Sequence, residues 1–205
     1  MKLHQISVVV TNFNYGHLVG RCIRSLLNQT LPLENFEIVV VDDCSTDDSV
    51  SILRNFGDQI TLLELPENKG LAHASNSGIE RCISRYIVRV DADDYVHPKF
   101  LETLLLGFEL FGGSCEAVSC DYLEVDDSGA ILGASRQVEK PIACAIAFKI
   151  DSFEALGFYD SNLRINEEID LMERFNKAKM RIYNINLPLY RYVQHSQSLT
   201  KRVPK

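Results

Sequence analysis

The stretch VRVDADDYVHP, residues 88–98, sets Asp91, Asp93 and Asp94 within four positions directly after an apolar run. Carboxylates this close repel one another unless a cation or hydrogen-bond donors sit among them. Residue type alone leaves two readings: a solvated acidic turn, or a turn that binds something positive. Other groups able to do chemistry stand at comparable places. Thr11, Asn12 and Phe13 follow the apolar run QISVVV, Asp42 and Asp43 follow FEIVVV, and Lys69 and Gly70 precede a helical stretch. Further along, NEEIDLMERF carries Glu167, Glu168 and Asp170, and Arg191 and His195 lie near the end of the chain. His4, His17, His73 and His97 show no metal-ligand spacing and read as structural or solvated.

An alternation of strands and helices must position these groups. QISVVVTNF, FEIVVVDD, QITLLEL and RYIVRV read as strands. Between them run amphipathic stretches, the first from about Leu18 to Asn28 with Leu18, Cys22, Ile23 and Leu26 on one face. Ser45 or Thr46 is placed to cap a second helix running toward Asn55. Four such repeats predict a mostly parallel sheet with helices on its faces. Ligands of such sheets bind beyond the carboxyl ends of the strands, where all of these polar residues fall. The first turn, TNFNYGHLVG, lacks GxGxxG, which argues against a nicotinamide dinucleotide site. A phosphoacceptor receiver domain shares the VVVDD pattern but would carry its acid pair on the first strand, and it leaves much of the chain unexplained.

At 205 residues, 46% hydrophobic, the chain suits one domain, 1–205, and two would be crowded. The balance of 21 basic and 28 acidic residues, net −7, argues against nucleic-acid binding, which needs clustered Lys and Arg. No run approaches the ~18 apolar residues of a membrane span, so any membrane association would be peripheral. The six cysteines form no CxxC pair and no apolar signal segment precedes them, which predicts reduced thiols in a cytoplasmic protein. The closing KRVPK reads as a solvated tail.

In order and spacing, seven segments resemble family 2 glycosyltransferases, the inverting nucleotide-sugar enzymes of the GT-A fold: VVVTNFNYGHLVGRCIRSLLNQT, EIVVVDDCSTDDSV, PENKGLAHASNSGI, YIVRVDADDYVHP, FEALGFYD, NEEIDLMERF and YVQHSQSLT. The resemblance implies an α/β GT-A fold, with residues 1–98 as the nucleotide-binding half and 99–205 as the acceptor-side half. It implies transfer of a sugar from a nucleotide-diphosphate donor, a uridine one first, to a saccharide or lipid-linked hydroxyl acceptor. By the same resemblance, Asp93 in the DxD turn binds Mn²⁺ or Mg²⁺, and His195 closes over the metal or diphosphate. Asp91 contacts the ribose or supports the ion, while Asp94 tunes or solvates the turn. Asp43 reads the base, with Thr11, Asn12 and Phe13 beside it and Asp42 ranked lower, since an acid there also caps a helix. Lys69 reaches base or diphosphate, and Gly70 permits close backbone approach.

For the catalytic base, Glu168, Leu171, Met172 and Phe175 fall at i, i+3, i+4 and i+7, which predicts an acid at the tip of an apolar helix face. A carboxylate there is stabilised by the helix dipole. Asp170 and Arg174 would orient the helix, with Asp170 also open to the acceptor, and Arg191 would add charge at the same end. Two departures from the family pattern stand out. Ser75 occupies a position that is often Arg, and Glu167–Glu168 replaces the usual Glu–Asp pair, leaving Glu168 or Glu167 as base. A non-catalytic nucleotide-sugar-binding module is the alternative that these departures keep open. Sugar, acceptor and linkage depend on about 120–165, where DYLEVDDSGAILGAS reads as a hairpin around DSG. A place in surface polysaccharide or glycolipid synthesis is an expectation by analogy.

Overall fold

The structure, a computed structural model, describes residues 4–195. The SQSLT end of the last family segment and the KRVPK tail lie outside the described residues. The β-branched runs form β1 (Ile6–Asn12), β2 (Phe36–Asp42), β3 (Thr61–Glu64) and β4 (Tyr86–Asp91). They lie parallel in the order β3-β2-β1-β4. Beyond β4 the sheet becomes mixed. β8 (Ile146–Lys149) runs antiparallel between β4 and β6 (Ala117–Val125), and β9 (Ile182–Val193) runs parallel to β6. The far end of β9 pairs with the two-residue β5 (Tyr95–Val96), which directly follows the acid turn. The hairpin forms as the DSG signal predicts: β7 (Ile131–Ser135) folds back on β6, and Asp126 Oδ1 accepts from the N–H groups of Ser128 and Ala130.

Strand periodicity divides the core in two. Val8, Val10, Val40, Val88 and Val90 face α1 (Gly16–Leu27), α2 (Ser49–Arg54) and α4 (Phe100–Phe111). Val9 and Ile87 face the opposite layer, made by α3 (Leu71–Ile79), α5 (Ile150–Leu156) and α6 (Glu167–Lys177). A fully buried Val, Leu or Phe contributes about 1.5–3 kcal/mol. Gly78 lets α3 lie directly on the sheet, because a Cβ there would stand 2.6 Å from Val9 Cγ1 and 2.9 Å from Val41 Cγ2. One expected boundary moves. The helix after β2 starts at Ser49, and Ser45 does not cap it. Ser45 is held back by Asp42, whose carboxylate accepts from both its N–H and its hydroxyl, while Cys44 takes a positive φ of 62°. None of the helices among the described residues is long and apolar enough to cross a membrane.

Candidate active site

The acid turn after β4 is tied down residue by residue. Asp94 is not solvated: it is 1% exposed, and its two oxygens accept from Val193 N–H at 2.8 Å and Tyr190 O–H at 2.7 Å. Tyr190 Oη in turn accepts the Asp91 N–H at 3.2 Å. Asp94 thereby anchors β9 to the turn. Burial, followed by the charges of Asp93 and Asp91, pushes its carboxyl well above the ordinary range. Asp94→Ala leaves two buried donors without an acceptor, so stability should fall by about 2–4 kcal/mol. Urea unfolding would report this as a lower midpoint with an unchanged slope; an unmoved midpoint would remove the anchor.

Asp93 faces outward from this anchor. Its Oδ2 lies 2.8 Å from His195 Nε2, which β9 delivers, and the Tyr15 ring meets the imidazole edge-on. Burial and neighbouring Asp91 raise the Asp93 carboxyl above its usual value, although His195 pulls the other way. Asp91 ends β4 with its side chain 27% exposed. Oδ2 accepts from Cys144 Sγ at 2.8 Å, while Oδ1 lies 3.3 Å from Arg89 Nε without a hydrogen-bond geometry. Arg21, on α1, reaches the Asp93 carbonyl at 3.4 Å and stacks over Tyr95.

These residues fit a divalent ion. The turn concentrates carboxylates that burial makes hard to keep charged, and Asp93 with His195 offers the oxygen and imidazole ligands that Mg²⁺ and Mn²⁺ accept. A second grouping, Asp91, Asp94 and Cys144, brings one ligand atom from each within 4.8 Å of the others. It is the poorer set. Asp94 is spent on its anchor, and burial with Asp91 alongside raises the Cys144 thiol well up, leaving a protonated soft ligand.

On the neighbouring strands, Thr11 lies in register with Asp91 and its buried hydroxyl has no hydrogen-bond partner. Asn12 donates to Asp42 at 2.7 Å, and Asp42 also holds Ser45. Asp42 is thus a turn anchor within the platform. Asn14, with φ 59°, binds the N–H groups of Thr46 and Asp47 and so braces the loop after β1 against the loop after β2. Phe13 stands 43% exposed beside this platform, outside the core. Asp43 accepts from the backbone N–H of Lys69 at 2.9 Å and Gly70 at 2.8 Å, pinning the next loop. Gly70 serves through its φ of 91°, since a Cβ there would meet only the Arg164 side chain at 3.4 Å. The Lys69 ammonium pairs with Glu67 at 3.1 Å, half exposed.

Helix α6 begins at Glu167, after Asn166 in a left-handed conformation (φ 64°) that makes no side-chain cap bond. The buried face is Glu167, Leu171 and Phe175, so the acid at its tip is Glu167, while Glu168 stands half-buried beside it. This corrects the face by one residue. The i, i+4, i+8 stripe turns further round the helix because α6 lies on Phe148 and Phe153. Glu167 is 3% exposed and pairs with Arg89 at 3.3 Å. Burial raises its carboxyl, and Arg89 offsets part of that rise. Asp170 forms a two-pronged pair with Arg174 at 2.9 and 2.6 Å, and Arg174 also reaches the Leu156 carbonyl. Arg191 does not join the acids. Its Nη1 donates to Pro188 O at 2.7 Å and Tyr190 O at 3.3 Å, and its charge acts on His97.

Sequence reasoning passed over Arg21, Cys144, Tyr190 and, above all, Arg89. A signal for the last existed, because a lone arginine interrupts the apolar strand YIVRV. Ser75 proves to be fully buried with an unpartnered hydroxyl, and Arg89 lines the same small cavity.

Known proteins resemble this chain in sequence and in fold. Residues 7–129, more than half of the chain, match the family described as Glycosyl transferase family 2. The putative glycosyltransferase EpsH of Bacillus subtilis (strain 168) is 25% identical over 229 residues, covering 100% of this chain and 65% of the relative. A poly(ribitol-phosphate) beta-glucosyltransferase of Bacillus spizizenii is 38% identical over 101 residues, covering 47% of this chain and 16% of the relative. Among solved structures, S. aureus TarS 1–349 in complex with UDP-GlcNAc superposes with a TM-score of 0.82 at 18% identity, covering 98% of this chain and 62% of that one. The mannosyltransferase PcManGT from Pyrobaculum calidifontis, in complex with GDP-Man and Mn²⁺, gives 0.76 at 19%, covering 98% and 60%. The chain therefore spans less than two thirds of the length of each of these proteins. The structural likenesses show the fold, which is GT-A as expected, and on the family match the chain belongs to glycosyl transferase family 2.

Proposed function

We propose that this chain transfers a sugar from a uridine-diphosphate donor to a hydroxyl acceptor, with inversion at the anomeric carbon. One observation carries the reading: Arg89 bridges the acid turn after β4 and the first turn of α6, lying 3.3 Å from Asp91 and 3.3 Å from Glu167. Donor and base sides of an in-line displacement need that adjacency. Residues 1–98 take the donor. Phe13 offers a flat surface to the base, the Asp43-pinned loop offers Lys69 beside it, and Thr11 and Asp91 lie toward the ribose. Asp93 and His195 would hold Mn²⁺ or Mg²⁺, which supplies neutralisation of the charge that develops on the leaving diphosphate.

Residues 99–205 carry the acceptor side. Glu168 takes the proton of the acceptor hydroxyl, the oxygen attacks the anomeric carbon opposite the diphosphate, and the sugar–phosphate bond breaks. One displacement inverts the centre, and no second carboxylate nucleophile is needed. Glu168 is preferred to Glu167 because Glu167 is buried and engaged by Arg89. Similarity to a poly(ribitol-phosphate) beta-glucosyltransferase supports a role in polymer synthesis.

Isothermal calorimetry tests the donor side. UDP should bind in Mn²⁺ or Mg²⁺ and weaken sharply in EDTA, and one or more of UDP-glucose, UDP-galactose and UDP-N-acetylglucosamine should release UDP on incubation, with water as the acceptor when no other hydroxyl is supplied. Binding that is equally tight without a divalent ion would overturn the metal assignment, and binding without any UDP release would favour a non-catalytic module.

A further inference from the structure

Arg89 is the only lysine or arginine buried among the described residues. Its place follows from the strand period. Ile87, Arg89 and Asp91 point to the sheet face that α3, α5 and α6 cover, and Ser7, Val9 and Thr11 are their register partners on β1. A guanidinium in that layer is costly unless anions meet it. Two do, from separate elements: Nε lies 3.3 Å from Asp91 Oδ1, and Nη1 lies 3.3 Å from Glu167 Oε1. The Tyr159 ring covers the guanidinium at 5.3 Å, and Cys144 Sγ lies 4.0 Å from Nη2.

The N-terminus of α6 has no side-chain cap, and Asn166 enters it in a left-handed conformation. Its first turn is held from the sheet instead, through Glu167. Because Glu168 is the next residue, anchoring Glu167 sets where the Glu168 carboxylate stands. We propose that Arg89 is a positioning residue that pairs by charge with Asp91 at the acid turn and hydrogen-bonds Glu167 in the first turn of α6, and so sets the separation between the donor end and Glu168. The inference rests on Glu168 as the base. A planar guanidinium suits the task because it donates to Glu167 while its delocalised charge stays beside Asp91, whereas a lysine ammonium is a single point.

Four proteins of residues 1–205 test it: native, Arg89→Lys, Arg89→Met and Arg89→Met/Glu167→Met. Each is measured for thermal unfolding, for UDP affinity with Mn²⁺, and for UDP release from whichever of UDP-glucose, UDP-galactose and UDP-N-acetylglucosamine the native chain turns over fastest. Misplacing a reacting group by about 1 Å costs on the order of 10²-fold. Arg89→Met should therefore lose about 10–100-fold in kcat, with UDP affinity within about threefold of native. Arg89→Lys should fall between. The double variant removes both buried charges and should regain most of the lost thermal stability, yet not the turnover. If Arg89→Met fails to fold, Arg89→Lys and the double variant decide.

Native turnover in a stable double variant would show that the pair only balances charge, which overturns the proposal. A loss of UDP affinity equal to the loss of turnover would also overturn it, by moving Arg89 into the donor site. A native chain that releases UDP from none of the donors overturns the functional reading, and the positioning role with it. A native chain that turns over alongside an equally active Arg89→Met overturns the positioning role alone.

Discussion

Glu168→Gln should lower turnover about 10²–10⁴-fold while donor affinity stays nearly unchanged. The substitution keeps the size of the side chain and its capacity to accept a hydrogen bond, but an amide cannot take a full proton from the acceptor. Single-turnover assays with calorimetry on the same protein would separate the two effects. Glu168→Asp keeps the charge and shortens the reach, so it should retain partial activity. Glu167→Gln is the informative contrast. Glu167 is 3% exposed and paired with Arg89, so its loss should act on stability and on the placement of α6, with a smaller fall in turnover. Native rates for Glu168→Gln beside an inactive Glu167→Gln would transfer the base role by one residue, against the burial pattern.

Asp93→Ala should abolish the metal-dependent part of nucleotide binding and reduce turnover by at least about 100-fold, with the fold intact. Even outer partners of metal ligands typically cost 10–100-fold when removed, and the loss of a direct ligand should cost more. The fold should survive because the tertiary bonds of the turn run through Asp94, Tyr190 and Val193, whereas Asp93 bonds to His195 at its outer side. The pair Asp93→Ala and Asp94→Ala therefore divides function from stability at adjacent positions. UDP calorimetry in Mn²⁺ and in EDTA reads the first, and urea unfolding reads the second. Equal UDP affinity for native and Asp93→Ala in Mn²⁺ would remove Asp93 from the ion site.

The amino-acid sequence by itself determined the strands, the helix periodicity, the DSG hairpin and the presence of polar groups at strand ends. Each of these is written in neighbouring residues: β-branched runs, apolar spacing, and turn chemistry within a few positions. It also carried the family, through motif order. What each acid does was decided by tertiary structure. Asp93 and Asp94 are adjacent in sequence, yet one faces His195, 102 residues on, while the other is buried beneath Val193, 99 residues on. Glu167 and Glu168 are alike by composition and differ because Arg89, 78 residues earlier, meets only the first. Asp43 pins the backbone of the loop at Lys69 and Gly70, and Arg191 turns to the carbonyls of its own strand. Local pattern sets where a side chain begins, but its burial and partners depend on which distant strands and helices pack beside it. In this chain β9 makes that choice for Asp93 and Asp94, and Arg89 on β4 makes it for Glu167 and Glu168.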